Sequence, residues 1–220
     1  MVLEMDHVYY PYDPGIHVQK EKTVKKEIAF FDFDGTITKK DTLIEFIRFS
    51  KGVFGLYLGL VINSPYLIAY KLNIISNQQA KQKILQYFFK DISVKQFNKI
   101  CEVFSKEKLP MLLRHAAVKE IRTLQNKNFI VVIVSASPEN WITFWAKQMN
   151  VILIATQLEE KNNNLTGNIL GNNCYGIEKV NRIKKLFQLA EYNIILAYGD
   201  TKGDIPMLNL ATTKHFKPFR

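Results

Sequence analysis

The sequence has few cysteines, and the two it has stand far apart. Cys101 and Cys174 are the only ones in 220 residues, which excludes the disulfide framework of a small secreted protein. No C-x-x-C pair is present, so a zinc ribbon is also excluded. The first 27 residues contain Glu4, Asp6 and Asp13 and lack a continuous apolar run, which argues against a signal peptide. These absences predict a reduced intracellular protein, and we expect a cytoplasmic location.

Acidic residues are outnumbered by basic ones. The chain has 30 Lys and Arg against 20 Asp and Glu, a formal net charge of +10. The basic residues are scattered, and no basic stripe alternates with aromatic residues that could stack on bases. We therefore expect no nucleic-acid partner and interpret the surplus as a lysine-rich solvated surface that can attract a small anionic substrate. The 47% of hydrophobic residues is enough to form a core.

Short apolar runs alternate with helical patterns along most of the chain. The runs typical of buried strands lie at residues 28–33, 129–134, 151–154 and 194–198. Helices are predicted at residues 112–126, 138–145, 176–189 and 206–211. This alternation predicts an α/β fold whose mainly parallel sheet is flanked by helices and binds ligands at the carboxyl ends of its strands. Residues 159–173 interrupt the pattern and indicate a strand–turn–strand excursion.

Residues 41–108 contain helical patterns and no convincing strand, so we expect a separate helical insert there. Within it, residues 52–70 carry no charge, which raises a membrane-spanning interpretation. Pro65 near the centre argues against a span, because proline breaks a helix. We favour two short helices, 53–62 and 66–75, whose apolar faces pack against neighbouring helices. Membrane contact is therefore not expected, and a surface that touches lipid or an apolar substrate is the alternative.

Two pairs of aspartates follow predicted strands. Asp32 and Asp34 come at the end of the first run, and Asp200 and Asp204 follow the last. The simplest interpretation is a turn that uses Asp and Gly. However, a buried carboxylate without a partner is unfavourable, so Asp32 requires a cation or hydrogen-bond donors. Neighbouring parallel strands would bring both pairs to one edge of the sheet, where hard oxygen ligands suit Mg²⁺.

Two further segments could complete a phosphate site at that edge. Residues 135–137, Ser-Ala-Ser, follow the second run and offer hydroxyls and backbone N–H groups to anionic oxygens. Lys179 begins a predicted helix and would add a positive charge if it reached the same place.

Together, residues 32–36, residues 135–137, Lys179 and residues 199–204 resemble, in order, the four motifs of the haloacid-dehalogenase-like (HAD) hydrolase superfamily. The resemblance covers roughly residue 26 to the C-terminus. It implies a Rossmann-like catalytic core, residues 26–40 and 109–220, with an inserted helical cap, residues 41–108. Residues 1–25 lie outside the resemblance and are expected to form an N-terminal extension. The position of the cap and the context of Lys179 are similar to the phosphoserine-phosphatase-like branch.

The resemblance implies a Mg²⁺-dependent phosphatase that hydrolyses a small phosphomonoester through an aspartyl-phosphate. Asp32 would be the nucleophile, Asp34 the general acid and base, and Lys179 the group that neutralises charge in the transition state. The implied metal ligands are Asp32, Asp34 through its backbone carbonyl, Asp200 and Asp204. The implied substrate-binding residues are Thr36, Asp41, Ser135, Ala136 and Gly203.

The cap departs from the phosphoserine phosphatases where their substrate contacts lie. Asp41 stands in place of a glutamate that holds the substrate ammonium, and only Lys81 and Lys83 are available in place of a cap arginine. Phosphoserine itself is therefore not favoured. The alternatives are a phosphotransferase, a phosphatase of lipid-like phosphomonoesters at a membrane surface, and a binding protein on a hydrolase scaffold. The sequence gives no indication of the oligomeric state.

One cysteine and two tryptophans near the motifs are expected to pack in the core or shape a loop. Cys174 lies just before Lys179 and is expected to pack or shape the loop rather than to act as a nucleophile. Trp141 and Trp145 are four residues apart on a predicted helix, and core packing is favoured over substrate stacking.

Overall fold

The computed structural model describes residues 26–220, and a five-stranded parallel sheet forms its centre. The predicted extension, residues 1–25, lies outside the described residues. The strands are β1 (Lys26–Phe31), β2 (Ile130–Pro138), β3 (Ile152–Thr156), β4 (Leu158–Lys161), β5 (Asn164–Ile169), β6 (Tyr192–Gly199) and β7 (Thr213–Phe216). The helices are α1 (Thr42–Ile62), α2 (Ser64–Lys71), α3 (Asn77–Phe89), α4 (Val94–Val103), α5 (Leu109–Leu112), α6 (His115–Asn126), α7 (Thr143–Gln148), α8 (Ile177–Leu186) and α9 (Ile205–Leu208).

Strand β1 lies in the middle of the sheet, whose order is β3–β2–β1–β6–β7. Phe31 pairs with Ile133 on one side and with Tyr198 on the other. Alternate residues of β1 point into two apolar layers, one on each face of the sheet, and every side chain from Ile28 to Phe31 is buried. The predicted α/β fold is confirmed. Strand β7 was not predicted, because its residues Thr-Lys-His-Phe lie at the sheet edge and lack the apolar run of a buried strand.

Helices α1 to α5, with a π-helical turn at Phe104–Lys108, occupy the chain between β1 and β2. Phe46 lies at the centre of their packing, with the ring of Trp141 stacked at 4.6 Å and three edge-on or tilted phenylalanine rings at 5.3 to 5.5 Å. The first of the two predicted helices, 53–62, is confirmed: α1 has a kink at Gly52, where φ is 74°, and the part after the kink ends at Ile62. The second prediction, 66–75, was wrong in its bounds, because α2 spans Ser64–Lys71.

The apolar segment in this region packs on one face only. Leu56 and Gly59 of α1 are buried, and a Cβ atom on Gly59 would lie 2.0 Å from the ring of Phe88. The opposite face is exposed, so the prediction that the segment packs against neighbouring helices was wrong for that face. Among the described residues, no single helix has the length and apolarity of a membrane span. Helices α1 and α2 have that length and apolarity only when they are taken together, and they are bent by 58° relative to each other.

The predicted excursion is the antiparallel hairpin β4–β5. Asn162 and Asn163 form its tight turn with φ values of 52° and 62°, a left-handed conformation that asparagine tolerates. The hairpin packs against α3. Gly167 lies against the backbone of Gln86, where a Cβ atom would come within 2.5 Å, and the Gln86 side chain donates to Asn168 Oδ1 at 2.7 Å. These contacts fix α3 beside the carboxyl edge of the sheet.

Candidate active site

Asp32 is the first residue after the central strand, and its buried carboxylate meets a buried lysine. Its backbone N–H donates to Tyr198 O at 2.9 Å, so the chain stays in the sheet at this point. Lys179, near the start of α8, places Nζ 2.5 Å from Asp32 Oδ1 and 2.7 Å from Asp204 Oδ1. The same ammonium donates to Val134 O at 2.8 Å in the middle of β2. One cation therefore links the residue after β1, the neighbouring strand β2 and the turn that follows β6.

In this cluster, burial and the neighbouring charges shift the pKa values in opposite directions. Burial raises the pKa of Asp32 to about 7, although the Lys179 ammonium acts in the opposite direction. Burial disfavours charge on Lys179 as well, but Asp32 and Asp204 outweigh it and raise the pKa of Lys179. For Asp204, Lys179 and the hydrogen bonds from Thr201 overcome burial and lower the pKa. Lys179 is therefore charged at neutral pH, and Asp32 lies close to its own titration midpoint.

A third carboxylate, Asp200, completes a cluster that could hold a metal. One oxygen each from Asp32, Asp200 and Asp204 lie within 4.8 Å of one another. The Thr36 hydroxyl lies 3.0 Å from Asp32 Oδ2 and 3.2 Å from Asp200 Oδ1. The guanidinium of Arg220 binds the second oxygen of Asp200. Three buried carboxylates face two cations here, and these hard oxygen donors fit Mg²⁺.

Gly35 allows Asp200 to approach the loop after β1. A Cβ atom at position 35 would lie 2.5 Å from Asp200 Oδ2, and the backbone there has φ +81°. Both the space and the conformation require glycine. The Gly in the first motif therefore has a direct physical role in bringing Asp200 next to the first loop.

Asp34 lies at the N-terminus of α1 and is held on both oxygens. The backbone N–H of Thr42 donates to Oδ1 at 2.7 Å, and the Ser137 hydroxyl donates to Oδ2 at 2.6 Å. The indole of Trp141 in turn donates to the Thr42 hydroxyl at 3.0 Å. The partial positive charge of a helix N-terminus favours a carboxylate in this position. Asp34 is thus oriented by groups from α1 and from the end of β2.

The two motif aspartates of the first loop face a common cavity of about 200 Å³. Its other lining residues are Asp41, Leu43, Asn77, Lys81, Ala136, Ser137, Tyr175, Lys179, Thr201 and Asp204. A larger groove of about 500 Å³ runs beside α8 and contains none of the predicted site residues. The cavity that adjoins the carboxylate cluster is therefore the candidate active site.

The predicted substrate-binding residues occupy different positions around this cavity. Asp41 and Ala136 line it, and Asp41 also caps α1 by accepting from the backbone of Leu43 and Ile44. Three others lie behind the lining: Thr36 bridges two carboxylates, Ser135 accepts a hydrogen bond from the backbone of Ser137, and Gly203 packs against the ring of Tyr175. A substrate-binding role for these five residues stays a prediction.

Several residues at the cavity were not assigned a role from the sequence. Ser137 belongs to the Ser-Ala-Ser motif, and its hydroxyl, rather than that of Ser135, contacts Asp34. Lys81 of α3, named from the sequence only as available in place of a cap arginine, donates to Ala136 O at 3.0 Å, and burial lowers its pKa. Asn173 accepts from Thr156 and donates to Asn77, which ties the loop before α8 to α3. Arg220 has no local pattern that would have indicated its contact with Asp200.

The three residues assigned to packing are buried. Cys174 is fully buried, and burial raises the pKa of its thiol to about 11, which leaves it protonated at neutral pH. Trp141 and Trp145 are also buried. The assignment of these side chains to packing is confirmed.

Comparisons with known proteins agree with the geometry. The chain matches the model of the haloacid dehalogenase-like hydrolases over residues 29–209. It is 34% identical over 195 residues to Protein CicA of Caulobacter vibrioides, covering 88% of this chain and 86% of CicA. A protein of unknown function from Bordetella pertussis has a similar fold, with a TM-score of 0.75 at 22% identity, over 86% of this chain and 89% of that one. The fold is also similar to that of a phosphoserine phosphatase bearing a phospho-aspartyl intermediate analogue. The TM-score is 0.62 at 19% sequence identity, and the match covers 86% of this chain and 85% of that one.

Proposed function

The chain belongs to the haloacid dehalogenase-like hydrolase family, and from this premise we propose that it is a Mg²⁺-dependent phosphatase of small phosphomonoesters. The observation that carries the proposal is the convergence of Asp32, Asp34, Lys179, Asp200 and Asp204 on the carboxyl ends of adjacent strands, beside one cavity. Phosphoryl transfer depends mainly on positioning and on stabilisation of charge, and this cluster supplies both.

In the first step, the ionised carboxylate of Asp32 attacks phosphorus, and the bond from phosphorus to the leaving oxygen breaks. Asp34 donates its proton to that oxygen, so the product leaves as an alcohol and Asp32 carries the phosphoryl group. Asp34 is held 2.6 Å from the Ser137 hydroxyl and faces the same cavity as Asp32. A dehalogenase expels halide and requires no such proton, so the presence of Asp34 favours the phosphatase.

In the second step, Asp34 accepts a proton from water, which attacks the phosphoryl group and releases phosphate, restoring Asp32. Lys179 is charged at neutral pH and neutralises negative charge on the transferring group. Bound Mg²⁺ would reduce repulsion between the Asp32 carboxylate and the anionic substrate. It would be held by the side chains of Asp32 and Asp200 and the backbone carbonyl of Asp34, with Asp204 binding through water or orienting Lys179.

Helices α1 to α4, with the π-helical turn that follows them, are proposed to act as a cap over the cavity, with the predicted boundaries 41–108. Asp41 at the start of α1 and Lys81 on α3 both line the cavity and carry opposite charges. They are suited to hold a polar substituent on the leaving group. A cavity of about 200 Å³ restricts the enclosed part of the substrate to a small phosphomonoester.

The test is hydrolysis of p-nitrophenyl phosphate by the full chain, with Mg²⁺ or with EDTA. The variant Asp32→Asn keeps the size of the side chain but removes the nucleophile, and we expect at least about a 10³-fold loss of turnover. Asp91→Asn is the matched control, because Asp91 is exposed and lies away from the cavity. Turnover that persists in EDTA, or that survives Asp32→Asn within tenfold, would contradict the proposal.

A further inference from the structure

The second half of α1 presents an apolar stripe to solvent. Its members recur at helical spacing and are all exposed: Val53, Phe54, Tyr57, Leu58, Val61 and Ile62. Phe54 is 80% exposed and Val61 69%. The opposite side of the helix already packs inward through Leu56 and Gly59. A helix with one buried face normally carries polar residues on the other, so this stripe has no explanation in the folding of α1 itself.

The exposed surface continues beyond α1. Tyr66 and Ile68 of α2 are exposed, as are Leu72 and Ile74 in the turn that follows. We call these four residues and the α1 stripe the apolar surface. No other element among residues 26–220 covers it. Contiguous apolar patches of this kind on otherwise well-packed proteins mark sites of interaction.

The segment that carries the apolar surface is basic. Residues 46–90 contain no aspartate or glutamate and six basic residues: Arg48, Lys51, Lys71, Lys81, Lys83 and Lys90. Arg48 is paired with Glu45 at 2.8 Å and Lys81 lines the cavity, which leaves four lysines without either role. Lys51 and Lys71 flank the uncharged segment, and Lys83 Nζ lies 5.4 Å above the ring of Tyr66. The aromatic rings, aliphatic side chains and bordering lysines form a combination that suits the interface of an anionic bilayer.

We propose that the apolar surface docks the protein on an anionic lipid bilayer, with the second half of α1 and all of α2 lying in the plane of the interface. The two helices do not cross the membrane, because the first half of α1 is fixed in the core by Leu43, Phe46 and Ile47. The bend of 58° between α1 and α2 suits helices that lie along a surface. This reverses the expectation from the sequence that the segment avoids lipid.

A second copy of the chain is a less suitable occupant. Two copies joined through this surface would bring both sets of four lysines, Lys51, Lys71, Lys83 and Lys90, together without any acidic residue from residues 46–90 to balance them. An anionic bilayer removes that repulsion. Docking would also bring lipid headgroups near the cavity, because Tyr70 of α2 accepts a hydrogen bond at 3.2 Å from Asn77, which lines it.

The experiment is co-sedimentation of the full chain, without substrate, with phosphatidylglycerol–phosphatidylcholine vesicles and with pure phosphatidylcholine vesicles. We expect binding to the anionic vesicles. In Phe54→Ser/Val61→Ser the partition coefficient should fall by at least about tenfold, because two exposed apolar side chains no longer enter the interface. Leu186→Ser on α8 is the matched control, since Leu186 is 61% exposed and lies outside the apolar surface. Circular dichroism of each variant reports folding, and Tyr57→Ser replaces the double variant if that one does not fold.

Three results would overturn the proposal. The first is a wild-type chain that does not sediment with anionic vesicles. The second is vesicle binding that salt abolishes and that Phe54→Ser/Val61→Ser leaves unchanged, because the lysines alone would then account for the binding. The third is a wild-type dimer that the double variant dissociates while vesicles have no effect. Because vesicle binding is measured without turnover, failure here leaves the phosphatase proposal intact, and loss of phosphatase activity leaves the docking test unaffected.

Discussion

Replacement of Lys179 by methionine tests whether this buried ammonium is the counterion of the site. Lys179→Met keeps an unbranched side chain of similar length but removes the charge that contacts Asp32 at 2.5 Å and Asp204 at 2.7 Å. Removal of one partner from a buried ion pair costs about 3–5 kcal/mol, because the other charge is left uncompensated. Asp204 keeps hydrogen bonds from Asp200 N and Thr201, and Asp32 can take up a proton, so we expect the lower end, about 3 kcal/mol.

The sign of the pH dependence follows from Asp32. Its pKa is raised to about 7 in the folded protein, above the value of the unfolded chain, so the folded state holds a proton more tightly. Loss of Lys179 raises that pKa further. The cost of Lys179→Met is therefore smaller below pH 6, where Asp32 is protonated, and grows as the pH rises through 7.

Urea unfolding of both proteins in EDTA, followed by the fluorescence of the buried Trp141 and Trp145, measures this cost. Lys184→Met on the same helix is the control, because Lys184 is exposed and its replacement should change the free energy of unfolding by less than about 0.5 kcal/mol. We also expect turnover to fall by about 10²–10³-fold in Lys179→Met. If Lys179→Met and Lys184→Met unfold alike at pH 8, the description of Lys179 as the counterion is wrong.

Three further predictions concern the metal site and the acid–base group. Gly35→Ala should lower Mg²⁺ affinity at least about tenfold, because the added Cβ atom displaces Asp200. Gly171→Ala is the control, since Gly171 also has a positive φ but no atom lies within 4 Å of the added Cβ position. Its replacement should cost only backbone strain of about 1 kcal/mol and leave Mg²⁺ titrations unchanged. Asp32 has a pKa of about 7 and must lose its proton to bind a cation, so Mg²⁺ affinity should rise with pH up to about 7 and level off above it. Calorimetry of Mg²⁺ binding in buffers of different ionisation enthalpy should show proton release at about pH 6 but little at about pH 8. Asp34→Asn should reduce steady-state hydrolysis by about 10²–10⁴-fold, and equal activity to wild type would exclude Asp34 as the general acid and base.

The sheet and the carboxylate cluster were predictable because their signals are local. The four buried strands are apolar runs, and Asp32 and Asp200 lie at the ends of the first and the last of them. Parallel strands end at one edge, so Asp32 and Asp200 are expected at the same edge, and the adjacency of β1 and β6 brings them together. The edge strand β7 has no such run, so its pattern could not distinguish it from a polar tail.

Contacts between distant segments were not predictable in the same way. Ser137 reaches Asp34 because β2 extends to Pro138 and α1 begins beside it, which is a property of the packing. The exposed stripe on α1 also required the structure, because an uncharged segment is compatible with a buried helix pair as well as with an exposed one. Which of its two faces turns inward depends on where Phe88 meets Gly59.

The central claim is that Asp32 carries the phosphoryl group during turnover. The most direct measurement is acid quenching of the enzyme with Mg²⁺ and p-nitrophenyl phosphate, followed by mass spectrometry of the peptide that contains Asp32. Asp34→Asn would be included because slow hydrolysis of the intermediate lets it accumulate. We predict a phosphoryl adduct on Asp32 in wild type and in Asp34→Asn, and none in Asp32→Asn. Metal-dependent turnover without any adduct on Asp32, retained in Asp32→Asn, would contradict the mechanism.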